Sequence, residues 1–298
     1  YGEAAAGTVA AAYFRSDSPD VRGDDPVFAG GFWVYMAGEG RTVRAFFIGL
    51  QFLTRLSFVR QNNWTAEDFG RSVKFFPLIG AVLGVIYAGV AYGLLVFAPA
   101  QGIVLPPHVI SVILLILPPL LTGGLHCDGF MDTMDGIFSG RDRERMLAIM
   151  KDSRVGSNGV FGFVLLMLLE WGILLDLLPT PGFLVPALFL MPIIARLMMT
   201  GAIALYPYAR PEGMGKAFAA YTDGKTVVFA GILTLVFLVP FGWPAAAALL
   251  VSLLFTVFFV SFVMKQLGGL TGDIYGAITT LNEGLVLLTF LVSAAFLR

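Results

Sequence analysis

Three aspartates, Asp128, Asp132 and Asp135, recur at i, i+4 and i+7 within LHCDGFMDTMDGIFSG. On a helix that advances 100° per residue they share an arc of about 60°. Three carboxylates on so narrow a face repel one another unless a cation gathers them. Hard oxygen ligands of this kind suit Mg²⁺ or Mn²⁺, which also take the oxygens of a pyrophosphate. The alternative is a solvated acidic helix face at a membrane surface. Such faces usually interleave Lys or Arg one turn away, and no base stands between Asp128 and Ser139.

Potential phosphate ligands follow directly. Arg141, Arg143 and Arg145 are either phosphate ligands or ordinary loop charges, and Lys151, Asp152 and Arg154 precede Gly156 and Gly159. A glycine-bearing turn entering a helix there would offer free backbone N–H groups to an anion. His126, beside the first aspartate, is a ligand, a base or an interfacial hydrogen-bond donor, and we favour the last. Arg196 lies within a long apolar run, where it meets an anionic substrate or pairs with Glu170 or Asp176; Arg55 carries the same ambiguity. Two further Gly-rich loops, YPYARPEGMGKAF at 206–218 and KQLGGLTGDIYGAITTLNE at 265–283, bring Arg210, Lys216 and Asp273 as candidate substrate clamps. Neither has the Gly-Lys-Ser/Thr ending of a P-loop.

These residues must be held by membrane helices. Of 298 residues 57% are hydrophobic and 13% charged, and the mean hydropathy is +0.83, more apolar side chain than a soluble core of this size buries. The 19 bases and 20 acids nearly cancel, so the basic stripe that draws nucleic acid is lacking. Cys127 is the single cysteine, which excludes an intrachain disulfide. Residues 1–41 read as a weakly ordered, acidic extension: the first forty carry six acids and two bases. Apolar runs at 75–97, 108–124, 159–178, 183–205, 226–241 and 245–264 predict six spans. The run 284–297 becomes a seventh if Asn282 and Glu283 join its helix, whereas 45–59 is short and reads as interfacial. The segments near 60–74, 125–158, 206–225 and 265–283 hold the bases, and those near 98–107, 179–182 and 241–244 hold no charge. The positive-inside rule then predicts an all-α, multi-pass bundle of six to seven spans with its active-site loops in the cytoplasm. That placement makes the sequon Asn63-Trp64-Thr65 irrelevant to glycosylation.

The ordered blocks FLTRLSF, FFPLIGAVLG, LTGGLHCDGFMDTMDGIFSG, IMKDSRVGSNG, YARPEGMGKAF and GGLTGDIYGA resemble the cobalamin synthase family, the adenosylcobinamide-GDP ribazoletransferases, over roughly 42–298. Cys127 and Met131 depart from the Leu and Ala expected in the longest block, and the aspartates are unaffected. The resemblance implies an inner-membrane transferase domain over 42–298. It would join adenosylcobinamide-GDP to alpha-ribazole or its 5′-phosphate, releasing GMP, with Mg²⁺ on the three aspartates and Asp135 or Asp152 as the base. Lys151, Arg154, Arg196, Arg210, Lys216 and Asp273 would then bind substrate. A homo-oligomer or an association with other B12-assembly enzymes is compatible with such a protein; nucleic acid is not an expected partner. Two other readings compete. A phospholipid-type alcohol phosphotransferase would need Ala-Arg where Met131-Asp132 stands, and a transporter would leave the loop carboxylates without a role.

Overall fold

The computed structural model describes residues 41–56 and 65–296. The expected extension, apart from Arg41, lies outside them, as do Arg60 and Asn63-Trp64. The described residues are helical throughout, apart from turns and one short bridge between Tyr208 and Leu270, so the expectation of an all-α membrane bundle is met.

Helices α1 (Arg41–Leu53) and α2 (Ala66–Ser72) come first. At 13 residues, α1 is about 20 Å long, too short for a hydrocarbon core of about 30 Å. The N-terminus of α2 is fixed by a reciprocal box in which Thr65 and Asp68 each accept the other's backbone N–H. A short 3₁₀ turn leads into α3 (Phe76–Tyr92), which continues through a wider turn at Gly93–Phe97 to Ala100. Next come α4 (Pro107–Thr122), α5 (Leu125–Ile137), α6 (Arg143–Ile149), α7 (Ser157–Leu177) and α8 (Pro181–Leu205). The chain ends with α9 (Met214–Ala220), α10 (Gly224–Leu238), α11 (Gly242–Leu267) and α12 (Gly272–Phe296).

Five helical stretches are long and apolar enough to cross a membrane, six if the bent pair α4–α5 counts as one. The longest, Gly224–Leu267, has 44 residues, about 66 Å if straight. It is not straight. Near its start Phe229 packs on Phe75, at its middle Phe241 packs on Phe189, and at its end the Leu267 carbonyl accepts from Arg143. Gly242, at φ +65°, makes the reversal. The described chain therefore runs between the two ends of the bundle seven times, through α3, α4, α7, α8, α10, α11 and α12. Asn282 and Glu283 do lie inside α12, which begins twelve residues before the apolar run at 284.

The first Gly-x-x-x-Gly pair has a packing role. A β-carbon at Gly80 or Gly84 would run into the α8 backbone at Pro192 and Phe189, so the missing side chains let α3 and α8 lie backbone to backbone. Gly89 and Gly93 face open space. Apolar contacts form two clusters: Leu83, Tyr87, Leu184 and Phe290 belong to the uncharged half, and Phe76, Met199, Val263 and Ile278 to the half beneath the charged loops.

Candidate functional site

The site begins at a corner. Gly123 and Gly124 adopt φ +66° and +76°, a left-handed pair that other residues enter only with strain, and α5 leaves α4 at 91°. Arg55 braces the corner: its backbone N–H donates to the Leu121 carbonyl at 2.7 Å, and its guanidinium fills the space a Gly123 side chain would need. The turn lays α5 across the charged end of the bundle instead of continuing the span. Gly129 and Gly276 let α5 and α12 approach closely, since a β-carbon on either would crowd the other helix's backbone.

The three aspartates meet different surroundings. Asp128, half-buried, lines a cleft at the charged end. Asp132, one turn on, is also half-buried. Asp135 is buried and committed to α7: its Oδ2 accepts the Gly156 N–H at 2.6 Å and its Oδ1 the Gly159 N–H at 2.8 Å. Asp135 thus faces a helix terminus, and among the described residues no group of three or more His, Cys, Asp or Glu side chains is arranged to hold a metal ion. Of the amides at the Gly156–Gly159 turn, those of Gly156 and Gly159 are taken by the Asp135 carboxylate rather than left to a substrate anion. A β-carbon at Gly156 or Gly159 would overlap that carboxylate.

Beside this junction Lys151 and Arg154 are exposed. Asp152 is engaged by its neighbour: Oδ1 accepts from the Arg154 backbone N–H and Nε, both at 3.1 Å, and Oδ2 from Nη2 at 2.7 Å. The Arg154 guanidinium holds the Asp152 carboxyl at about 2, well below the usual carboxylate range. So low a value makes Asp152 a weak proton acceptor.

The two Gly-rich loops come together. The Ala209 N–H donates to the Leu270 carbonyl at 2.7 Å and the Leu270 N–H to the Pro207 carbonyl at 2.8 Å. Arg143 bridges both, donating to the Leu267 and Ala209 carbonyls, a role its neighbours Arg141 and Arg145 do not share. Arg210 and Asp273 form an ion pair at 2.7 Å, mostly buried, with Thr271 also donating to Asp273. Lys216, exposed, donates to the Pro211 carbonyl.

Arg196 lies apart from these loops. Its side chain is 0% exposed and paired with Glu283, which corrects the expected pairing with Glu170 or Asp176. Glu170 borders the same small cavity as Glu283, whereas Asp176 is exposed.

The cleft has apolar walls from Phe52, Leu53, Phe76, Met199, Ile203 and Phe218 and a polar side formed by His126, Asp128, Tyr208, Asp273 and Tyr275. Sequence patterns missed the aromatic wall and Tyr275, because aromatic residues at helical spacing read as core. The one available signal was their placement in the same blocks as the charged candidates.

Residues 45–291 match the family model described as Cobalamin-5-phosphate synthase. An adenosylcobinamide-GDP ribazoletransferase of Desulfitobacterium hafniense is 39% identical over 251 residues, covering 83% of this chain and 96% of the relative. Proteins of the same description from Clostridium acetobutylicum, 36% identical with 83% and 95% covered, and Pseudomonas paraeruginosa, 38% identical with 82% and 96% covered, match over similar spans. No solved structure matches the chain. Matched along most of its length by the family model, and covering such relatives nearly end to end, the chain belongs to the cobalamin-5-phosphate synthase family.

Proposed function

We propose that the protein transfers the adenosylcobinamide phosphate group from adenosylcobinamide-GDP to alpha-ribazole or its 5′-phosphate, yielding adenosylcobalamin or its phosphate and GMP. The observation that carries this reading is convergence: Asp128 of LHCDGF, Tyr208 of YPYARPEG and Asp273 of GGLTGDIYG, far apart in sequence, line one cleft. In the reaction a ribose hydroxyl attacks the corrin-linked phosphorus. A new P–O bond forms, the pyrophosphate bond breaks, and GMP leaves with the electron pair.

The donor set supports Mg²⁺ at Asp128 and Asp132: two hard carboxylates one helical turn apart, with substrate phosphates and water completing the shell, match the habit of that ion. When bound, it would neutralise pyrophosphate charge as GMP departs. Asp135 serves better as the anchor of α7 than as a ligand. Of the candidate bases, Asp135 has both oxygens on amides and Asp152 has both on Arg154. A carboxylate has two oxygens, so Asp128 can share a cation through one and take the ribose proton through the other. Lys151, Lys216 and the Arg210–Asp273 pair supply the polar margin for the phosphates.

The distribution of bases supports placing the charged end in the cytoplasm and the protein in the inner membrane. Purified protein supplied with the GDP-activated corrin, each acceptor and Mg²⁺ should release GMP only when acceptor is present. Release without acceptor would indicate a hydrolase, and movement of label across vesicles without release would indicate a transporter; either result overturns the reading.

A further inference from the structure

The cleft contains two unsatisfied polar groups. His126 Nε2 and Tyr275 Oη are buried with no hydrogen-bond partner, both residues are 4% exposed, and both line the cleft. A buried polar atom left unpaired costs free energy, so two in one cavity call for a ligand that satisfies them. Around them the walls are aromatic and aliphatic. Phe218 packs against Phe52, Phe69 and Phe76 at centroid separations of 5.1 to 5.9 Å, presenting a wall suited to a flat ring.

Size limits the occupant. The cavity measures about 80 Å³, and at roughly 10–15 Å³ per enclosed water it holds a handful of waters or one planar ring system. A corrin macrocycle does not fit. Polarity limits it further. Guanine presents a hydrogen-bonding group on nearly every edge, most of which would be stranded against Phe52, Phe76, Met199 and Ile203. The benzimidazole of alpha-ribazole is apolar except at its ring nitrogens, one of which is consumed by the glycosidic bond.

We infer that this cleft is the subsite for the aromatic base of the nucleoside acceptor, with the Tyr275 hydroxyl donating to the base's free ring nitrogen, His126 Nε2 meeting a hydroxyl of the attached ribose, and that ribose directed toward Asp128. The inference rests on the transferase reading and assigns the place of one of its two substrates. The corrin then docks outside the cleft, at the charged margin.

Tyr275→Phe is the sharpest probe. The hydroxyl it removes has no partner in the protein, so the variant should unfold in detergent at a temperature no lower than the parent. Calorimetric titration with alpha-ribazole alone, without donor or Mg²⁺, should show binding weakened roughly five- to tenfold. In GMP release the KM for the acceptor should rise similarly while that for the GDP-activated corrin stays fixed, and free 5,6-dimethylbenzimidazole should compete with the acceptor. Unchanged acceptor binding in Tyr275→Phe, or a raised KM for the donor instead, would overturn the assignment, the latter placing guanine in the cleft. Parent protein that binds alpha-ribazole but never releases GMP would instead defeat the transferase reading, so the two failures are distinguishable.

Discussion

Arg196 on α8 and Glu283 on α12 form an ion pair in the interior of the bundle, with the arginine side chain 0% exposed. Charges at that depth persist only when matched. Removing the base strands the acid. Arg196→Gln leaves Glu283 as an unpaired buried acid and should destabilise the protein by about 3–5 kcal/mol. Replacing both partners, Arg196→Gln with Glu283→Gln, should recover part of that loss. Thermal unfolding in detergent measures both, and a double variant no more stable than Arg196→Gln alone would show that the pair is not what carries the loss.

The Asp135 junction predicts a local effect. Asp135→Ala strips two charge-assisted acceptors from the amides of Gly156 and Gly159 and should cost about 1–3 kcal/mol. Hydrogen exchange at the start of α7 should accelerate, while exchange at its far end near Leu174 stays slow. Uniform acceleration along α7 would mean that the contact does not anchor that terminus.

Metal dependence separates the aspartates. Asp128→Asn and Asp132→Asn should each lower turnover by about 10²-fold or more and raise the Mg²⁺ concentration needed for half-maximal GMP release. Asp135→Asn should leave that concentration in place even where turnover falls. A shared shift in all three would restore Asp135 to the ligand set.

Acid titration tests the Asp152–Arg154 pair. The folded pKa lies near 2 against about 3.9 unfolded, so the contact is fully formed above about pH 4 and is lost as pH falls through about 2. Carboxyl carbon shifts should place Asp152 near 2, and Arg154→Ala should move it back toward about 4. With Asp128 proposed as the proton acceptor, the acid limb of GMP release should not follow that move; a limb that shifts with it would make Asp152 the base.

Orientation is testable with reporters. One inserted near Gly102, between α3 and α4, should read as periplasmic, and one near Arg143 as cytoplasmic. The reverse pattern would place the cleft on the wrong side for its substrates.

Much of the bundle was legible because apolar runs of near-spanning length are written locally, and α3, α7 and α8 begin and end close to their expected bounds. What escaped depended on partners remote in sequence. Asn282 and Glu283 made the start of α12 ambiguous; their polarity is answered by Thr256 on α11 and Arg196 on α8, which no local window contains. Periodicity correctly put Asp128, Asp132 and Asp135 on one helix face, but it could not show that the terminus of α7 arrives beside the third. Gly123-Gly124 fell inside the expected span 108–124, and the corner there was not legible, because its angle is set by Arg55 and the packing of α5 on α12.

The polar content of α12 has a consequence for the growing chain. Synthesis proceeds from N- to C-terminus, so α7, α8 and α11 are made before Glu283 exists. When α12 emerges, Thr256 and Arg196 are already available to Asn282 and Glu283, and the least apolar of the long helices need not wait in lipid with its side chains unmatched. Arg196 does have to wait: its ion-pair partner is not made until α12, so the last helix to be synthesised completes the pairing of a charge laid down four helices earlier.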